Sequence, residues 1–492
     1  MYENSKMKGD NILQSESESE LKYEIQDIED DLKRTKNRDI EEPLQQRQTT
    51  PSFMAWYGGH RQKGFFRRNF GHISQGGVRS SVFTMFTATV GAGVLSLPYI
   101  ISYFGLGLGI FLILTGAWLN YLGYLALNNS IIITGKNSFS NLCSYYFGKT
   151  GGRICTLFIM GINFLTCAIY TCISWQFAEK LYSDYIQKLP MKDANKGIYD
   201  EYSPTIWKVR GGILGMFFLA TLPICLMKKM YFLRYLSLLV LGVIMTAIFV
   251  TVYQAPSYYK ELKNNEKYHF TLAPEFDKAG LHWISGYATI IMSFFCQPVF
   301  MHVRSEFPNK TQKRIKKVIR TAIGTEMLLY LLISTAGYWS LGSNLTPPMF
   351  TLRRPLEGSN DYIMKILQWI FVLVTLLHIP LSLFALRDQF YTFLKFKRNL
   401  RNHVFLTIFL NFIAFLIPLV YPNILGLFGI VGGLFATLVG IIIPYSMKVM
   451  EEKKRKKIGF TICFYLLGIF FAICLAISST TVSILDLINE TE

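Results

Sequence analysis

The sequence predicts an all-α polytopic membrane protein of eleven transmembrane helices, and three observations predict it. Apolar runs near 20 residues recur along the chain, the length of helix that crosses about 30 Å of bilayer hydrocarbon. Hydrophobic residues make up 51% of the chain and aromatics 15%, with charge concentrated between the runs. The first run, 81–99 (SVFTMFTATVGAGVLSLPY), carries Gly91 and Gly93 at mid-depth and Pro98 beyond them. Each glycine weakens a helix by about 1 kcal/mol relative to alanine, and proline cannot donate to the helical ladder. Together they predict a helix broken inside the membrane. Backbone groups opened there are costly in hydrocarbon unless something polar meets them. A solute carboxylate facing the N–H groups and dipole of the second half-helix would do so, whereas GxG alone also fits a helix-packing seam.

The spans are expected at 80–103, 107–129, 154–179, 211–227, 232–254, 283–302, 318–341, 362–385, 403–421, 423–447 and 459–484. Residues 1–75, rich in Ser, Glu and mixed charge, read as a disordered cytoplasmic N-terminal tail with no apolar signal-peptide core; 77–485 form the transmembrane domain. The net charge of +18 is distributed as membrane topology: Lys and Arg crowd the tail and the segments after the even-numbered spans. That bias predicts an inner N-terminus and an outer C-terminus, with clusters 313–320 and 453–457 as anchors. A phosphoinositide site at those clusters is the alternative reading, lipid is the expected surrounding, and neither nucleic acid nor an obligate protein partner is indicated. All eight cysteines fall in spans or on the inner side, so no outer disulfide is expected.

Asn120 in the second span and Asn163 and Thr166 in the third read as helix–helix hydrogen bonds. The sequons at Asn128, Asn309 and Asn344 are poor acceptors, the first two by topology and the third by nearness to the seventh span. Five spans carry the chain across the membrane, so the next five run inverted, as a 5+5 inverted repeat plus one extra helix requires. The sixth span should then be broken like the first, and 291–298 (IMSFFCQP), with Ser293 and a proline after Gln297, offers the place. Glu326 lies about two turns into the seventh span: either a functional carboxyl, or one snorkelling toward Arg320 or Lys317. His378 precedes Pro380 in the eighth, where proline should free the carbonyl of Leu376. No HExxH, GxSxG or clustered aspartates occur in a span, so an enzyme is not expected, and no metal site or filter repeat is visible.

Five stretches, in order, resemble the amino acid/auxin permease family: 81–99; 293–297 with 304–306; 336–342 (AGYWSLG); 380–387 (PLSLFALR); and 422–444 with 428–432 (FGIVG). The resemblance covers about 77–480. It implies a leucine-transporter-like fold with helices 1 and 6 broken, and cation-coupled uptake of amino acids driven by a proton or sodium gradient without a cofactor. The sodium-coupled branch tends to carry Asn where this chain has Thr87, Thr near His378, and an outer cysteine pair absent here; many members have His at the position of Gln297.

From the breaks and the resemblance together, the expected solute site is Thr87, Gly91, Ala92, Gly93, Ser293, Phe294, Phe295 and Gln297. The carboxylate would meet the N–H groups of 91–93, the ammonium the polar groups of 293–297, and Met292, Phe294 and Phe295 would shape the side-chain pocket. The expected coupling site is His378 with Thr87, Thr375 and Glu326, His378 and Thr87 facing each other across the cation site of the resembling fold. A proton suits an imidazole better than sodium does, since sodium prefers hard oxygen ligands. Sodium-coupled transport and a non-transporting membrane amino acid sensor, its tail the output, are the alternatives; the membrane is plasma, vacuolar or lysosomal.

Overall fold

The computed structural model describes residues 77–489, except 183–203, 228–230, 274–279, 308–310, 344–345, 347–350, 352, 354–361, 395–398, 422 and 457–458. The expected tail and the sequons at Asn309 and Asn344 lie outside the described residues. The described chain is all helix, and ten of its helices are long and apolar enough to cross a membrane. Their outward faces carry large apolar side chains such as Phe249, Phe405 and Phe460, each at least 70% exposed, a surface that only lipid solvates without penalty.

The first crossing is interrupted. Helix α1 (Val78–Thr89) stops at Val90, a 3₁₀ turn covers Ala92–Ser96, and α2 (Leu97–Thr134) follows with Pro98 in its first turn, where no intrahelical N–H is needed. The run from Gly93 to Thr134 is 42 residues, about 63 Å of helix and twice the hydrocarbon thickness. It divides at Gly105, whose φ of 70° is left-handed. A Cβ at Gly105 would lie 2.4 Å from the carbonyl oxygen of Ala273. There Leu106 and Gly107 donate to the carbonyls of Thr271 and Leu272 at 3.1 Å each, pinning the chain before the sixth crossing to the bend.

Then come α3 (Phe139–Tyr182, bent at Gly148), α4 (Pro204–Cys225) and α5 (Tyr231–Leu262). The sixth crossing is broken too: α6 (His282–Ser293) and α7 (Gln297–Ser305) flank three residues, and Pro298 occupies the first turn of α7 as Pro98 does in α2. Helices α8 (Gln312–Leu341), α9 (Tyr362–Leu394) and α10 (Leu400–Val420) are continuous. The tenth crossing joins α11 (Ile424–Ile430) to α12 (Ile443–Lys454) through two π-helical turns, and α13 (Phe460–Asn489) ends the described chain.

Helices α3 and α9 zip together antiparallel. Tyr170, Ser174 and Phe177 ascend α3 against His378, Thr375 and Phe371 descending α9, steps of three and four residues that keep each row on one helix face. Third and eighth crossings running in opposite directions are what an inverted repeat requires. One expectation needs correcting: several helices extend past their expected ends, α3 by 15 residues at its start, because the turns before Gly148 carry helix beyond the apolar run.

Candidate functional site

Everything distinctive in this chain converges on the two breaks, which touch each other. A Cβ added to Gly93 would lie 3.2 Å from the hydroxyl oxygen of Ser293, so the interruptions of the first and sixth crossings sit side by side. They are finished differently. At the first break Gly91 is extended (φ −122°, ψ −156°), and the N–H groups of Gly91, Ala92 and Gly93 meet no acceptor among the described residues. Backbone N–H groups left open at the start of a helical segment offer a seat for an anion. One side of that seat is Tyr170, whose hydroxyl would stand 3.0 Å from a Cβ on Gly91.

At the second break, side chains from other helices take the backbone carbonyls. Tyr330 on α8 donates to the Ser293 carbonyl at 2.7 Å and reaches the Thr89 carbonyl at 3.4 Å. Tyr124 on α2 donates to the Phe294 carbonyl at 3.1 Å, and Asn120 to the Ile291 carbonyl at 3.2 Å. Gln297 is fully buried; its amide oxygen accepts from the Cys296 N–H at 3.0 Å, and its nitrogen reaches Asn120 Oδ1 and the Gly440 carbonyl at 3.2 and 3.3 Å. Gln297 therefore spends its polarity inside the fold, binding the second break to the second and tenth crossings. Glycine makes that approach close enough: a Cβ on Gly123 would lie 2.3 Å from the Gly440 carbonyl oxygen.

The remaining residues singled out from sequence fall into three groups. Phe294 is buried with its ring 4.8 Å from Tyr330; Phe295 is half-buried with its ring against Gly440, and Met292 lies half-buried beside Gly432. Thr87 turns its hydroxyl to the carbonyls of Phe83 and Thr84 in its own helix, 3.0 Å each, and Thr375 bonds Ser174 at 2.7 Å. The ring facing His378 is Tyr170, stacked with centroids 4.2 Å apart, and the buried His378 Nδ1 has no hydrogen-bond partner. Through Tyr170, His378 stands one side chain away from the open first break.

Glu326 departs from the snorkelling alternative. It is 1% exposed while Lys317 and Arg320 are exposed, and it accepts a 2.5 Å hydrogen bond from the Thr89 hydroxyl. Its helix aims it at the broken end of α1, because Glu326 and Tyr330 stand one turn apart on the face of α8 that packs there. No group of three or more metal-ligating side chains occurs among the described residues. Sequence reasoning missed Tyr124, Tyr170 and Tyr330, since a tyrosine in an apolar span carries no local mark of its partner.

Comparisons with known proteins bear on the fold and the family. The crystal structure of MhsT in complex with L-phenylalanine superposes with a TM-score of 0.53 at 14% sequence identity, over 84% of this chain and all of that one. That likeness shows the fold, which is leucine-transporter-like as expected. A protein of Plasmodium falciparum (isolate 3D7) named "Putative amino acid transporter AAT1" is 25% identical over 274 residues, 56% of this chain. The matched part spans 41% of that relative's length. The family described as transmembrane amino acid transporter protein matches residues 74–488. Over that stretch, which includes both breaks, the chain belongs to this family of multi-pass membrane transporters and not to the enzymes.

Proposed function

We propose that this protein is a secondary active transporter that carries an amino acid in symport with a proton. The observation that supports it best is the row of free N–H groups at Gly91, Ala92 and Gly93 beside the Tyr170 hydroxyl. A solute carboxylate satisfies donors that the fold leaves open, and a zwitterion brings no net charge into the membrane. The ammonium then lies toward Ser293, with Phe294 and Phe295 limiting the side chain and Gln297 holding the second break in place. A protein similar in fold, MhsT, was crystallised with L-phenylalanine, which accords with an amino acid as solute.

Coupling to a proton is supported by the neighbours of His378. The buried imidazole presents a nitrogen without a hydrogen-bond partner, a site for a proton and a poor ligand for sodium, which prefers hard oxygens. An imidazole stacked on the tyrosine that lines the carboxylate seat links proton binding to solute binding. The N-terminus is cytoplasmic and the C-terminus extracellular or luminal, from the distribution of Lys and Arg, in a plasma, vacuolar or lysosomal membrane; eleven crossings follow if the bend at Gly105 ends the first.

The test is uptake of labelled L-amino acids by purified protein in liposomes, with pH and sodium gradients imposed separately. Accumulation is expected under an inward proton gradient and its loss in His378→Thr. Accumulation driven by sodium alone, or full pH-driven accumulation in the variant, would overturn proton coupling through this residue; solute binding without net flux would make the protein a sensor.

A further inference from the structure

We propose that Glu326 binds a proton at the broken end of α1, as a second proton site of this transporter, apart from His378. The proposal rests on the transport reading and begins with an unbalanced atom. One carboxyl oxygen of Glu326 accepts from the Thr89 hydroxyl, while the other, Oε2, is buried with no partner. The ionisable groups around it are Tyr124 from α2, Cys296 from the second break and Tyr330 from α8 itself. Each is neutral when protonated, and the described parts of α1 and α5 bring no charged group to it. A carboxylate here would be a buried charge without a counter-charge, the arrangement that folded proteins and membranes tolerate least. A proton on Oε2, taken from water on one side of the membrane and released as a proton on the other, removes that charge and turns the orphan acceptor into a donor.

A metal cation would answer the same imbalance, and the geometry argues against it. The carbonyls of Thr89 and Ser293, which a cation between the breaks would use, face the hydroxyl of Tyr330. With that hydroxyl's proton already directed at them, these carbonyls are weakened as ligands for a hard cation, which prefers six or so oxygens. A purely structural carboxyl is disfavoured as well, because glutamine would accept from Thr89 equally and carry no charge to bury.

The position gives the proton something to act on. Glu326 and Tyr330 hook α8 to the residues just before and across from the free N–H groups of 91–93. An ionised carboxylate bonds the Thr89 hydroxyl more strongly than a neutral one and also draws water to the break. Protonation therefore changes how firmly the end of α1 is held, and by linkage a solute seated at Gly91–Gly93 changes the affinity of Glu326 for its proton.

The experiment uses the full chain in liposomes and reads infrared difference spectra while pH is stepped, with a mixture of labelled L-amino acids for the parallel flux measurement. The wild type is expected to show the C=O stretch of a protonated carboxylic acid that is lost on alkalinisation, to be absent in Glu326→Gln and to persist, shifted, in Glu326→Asp. Glu326→Gln should lose part of the pH dependence of exchange measured at equal pH on both sides, and Glu326→Asp should keep it. A band identical in wild type and Glu326→Gln, or one abolished by sodium at constant pH, would overturn the proposal. The infrared signal needs no flux, so failure of wild-type exchange would overturn the transport reading separately.

Discussion

The two broken crossings have the same plan and opposite finishes. Each ends a helix, opens a few residues of backbone and leads into a helix with a proline in its first turn. At the second break, Tyr330, Tyr124, Asn120 and Gln297 satisfy the Ser293, Phe294 and Ile291 carbonyls and the Cys296 N–H. At the first, the N–H groups of Gly91, Ala92 and Gly93 are left free. The second break has its carbonyls bonded by side chains, whereas the first presents N–H groups beside the Tyr170 hydroxyl. Unsatisfied groups in a membrane are a cost that a fold carries only where binding offsets it.

The largest effect that would break this contrast is at Gly93. A leucine there must push its side chain into the Ser293 hydroxyl, 3.2 Å from where its Cβ would start, and so into the space between the breaks. Uptake should fall to background with expression and topology unchanged; wild-type uptake would mean that the solute binds elsewhere. Next comes Tyr330→Phe, which removes the donor to the buried Ser293 carbonyl. A buried acceptor left without its donor costs about 1–3 kcal/mol. The detergent-solubilised variant should melt at a temperature lower by a few degrees; unchanged melting would mean that the Ser293 carbonyl does not depend on this donor. The smallest effect is expected from Gly91→Ala. Its extended backbone accepts any residue, and the added methyl asks only that the Tyr170 hydroxyl yield by a few tenths of an ångström. The KM for uptake should rise by a few-fold, about 1 kcal/mol of binding, with Vmax retained; a complete loss would show the seat to be far more rigid than this packing suggests.

Both breaks were legible from the sequence because a helix break is a local event. Gly91, Gly93 and Pro98 weaken the ladder through their own backbone chemistry, and Pro298 marks the second break in the same way. The long apolar runs likewise determined that the chain is a bundle of membrane helices, and Asn120 could be read as a helix–helix bond from its placement alone. What only the tertiary structure decided is which break stays open. The donors to the second one's carbonyls include two of the chain's 28 tyrosines and come from two different helices: Tyr124 on α2 lies 170 residues from Phe294, and Tyr330 on α8 lies 37 residues from Ser293. The same holds for Glu326, whose sequence neighbours include the lysines and arginines at the start of α8, yet whose bond is to Thr89, 237 residues away. A hydroxyl or carboxyl finds its partner through the packing of whole helices, and no stretch of sequence around it records which helix face will arrive there.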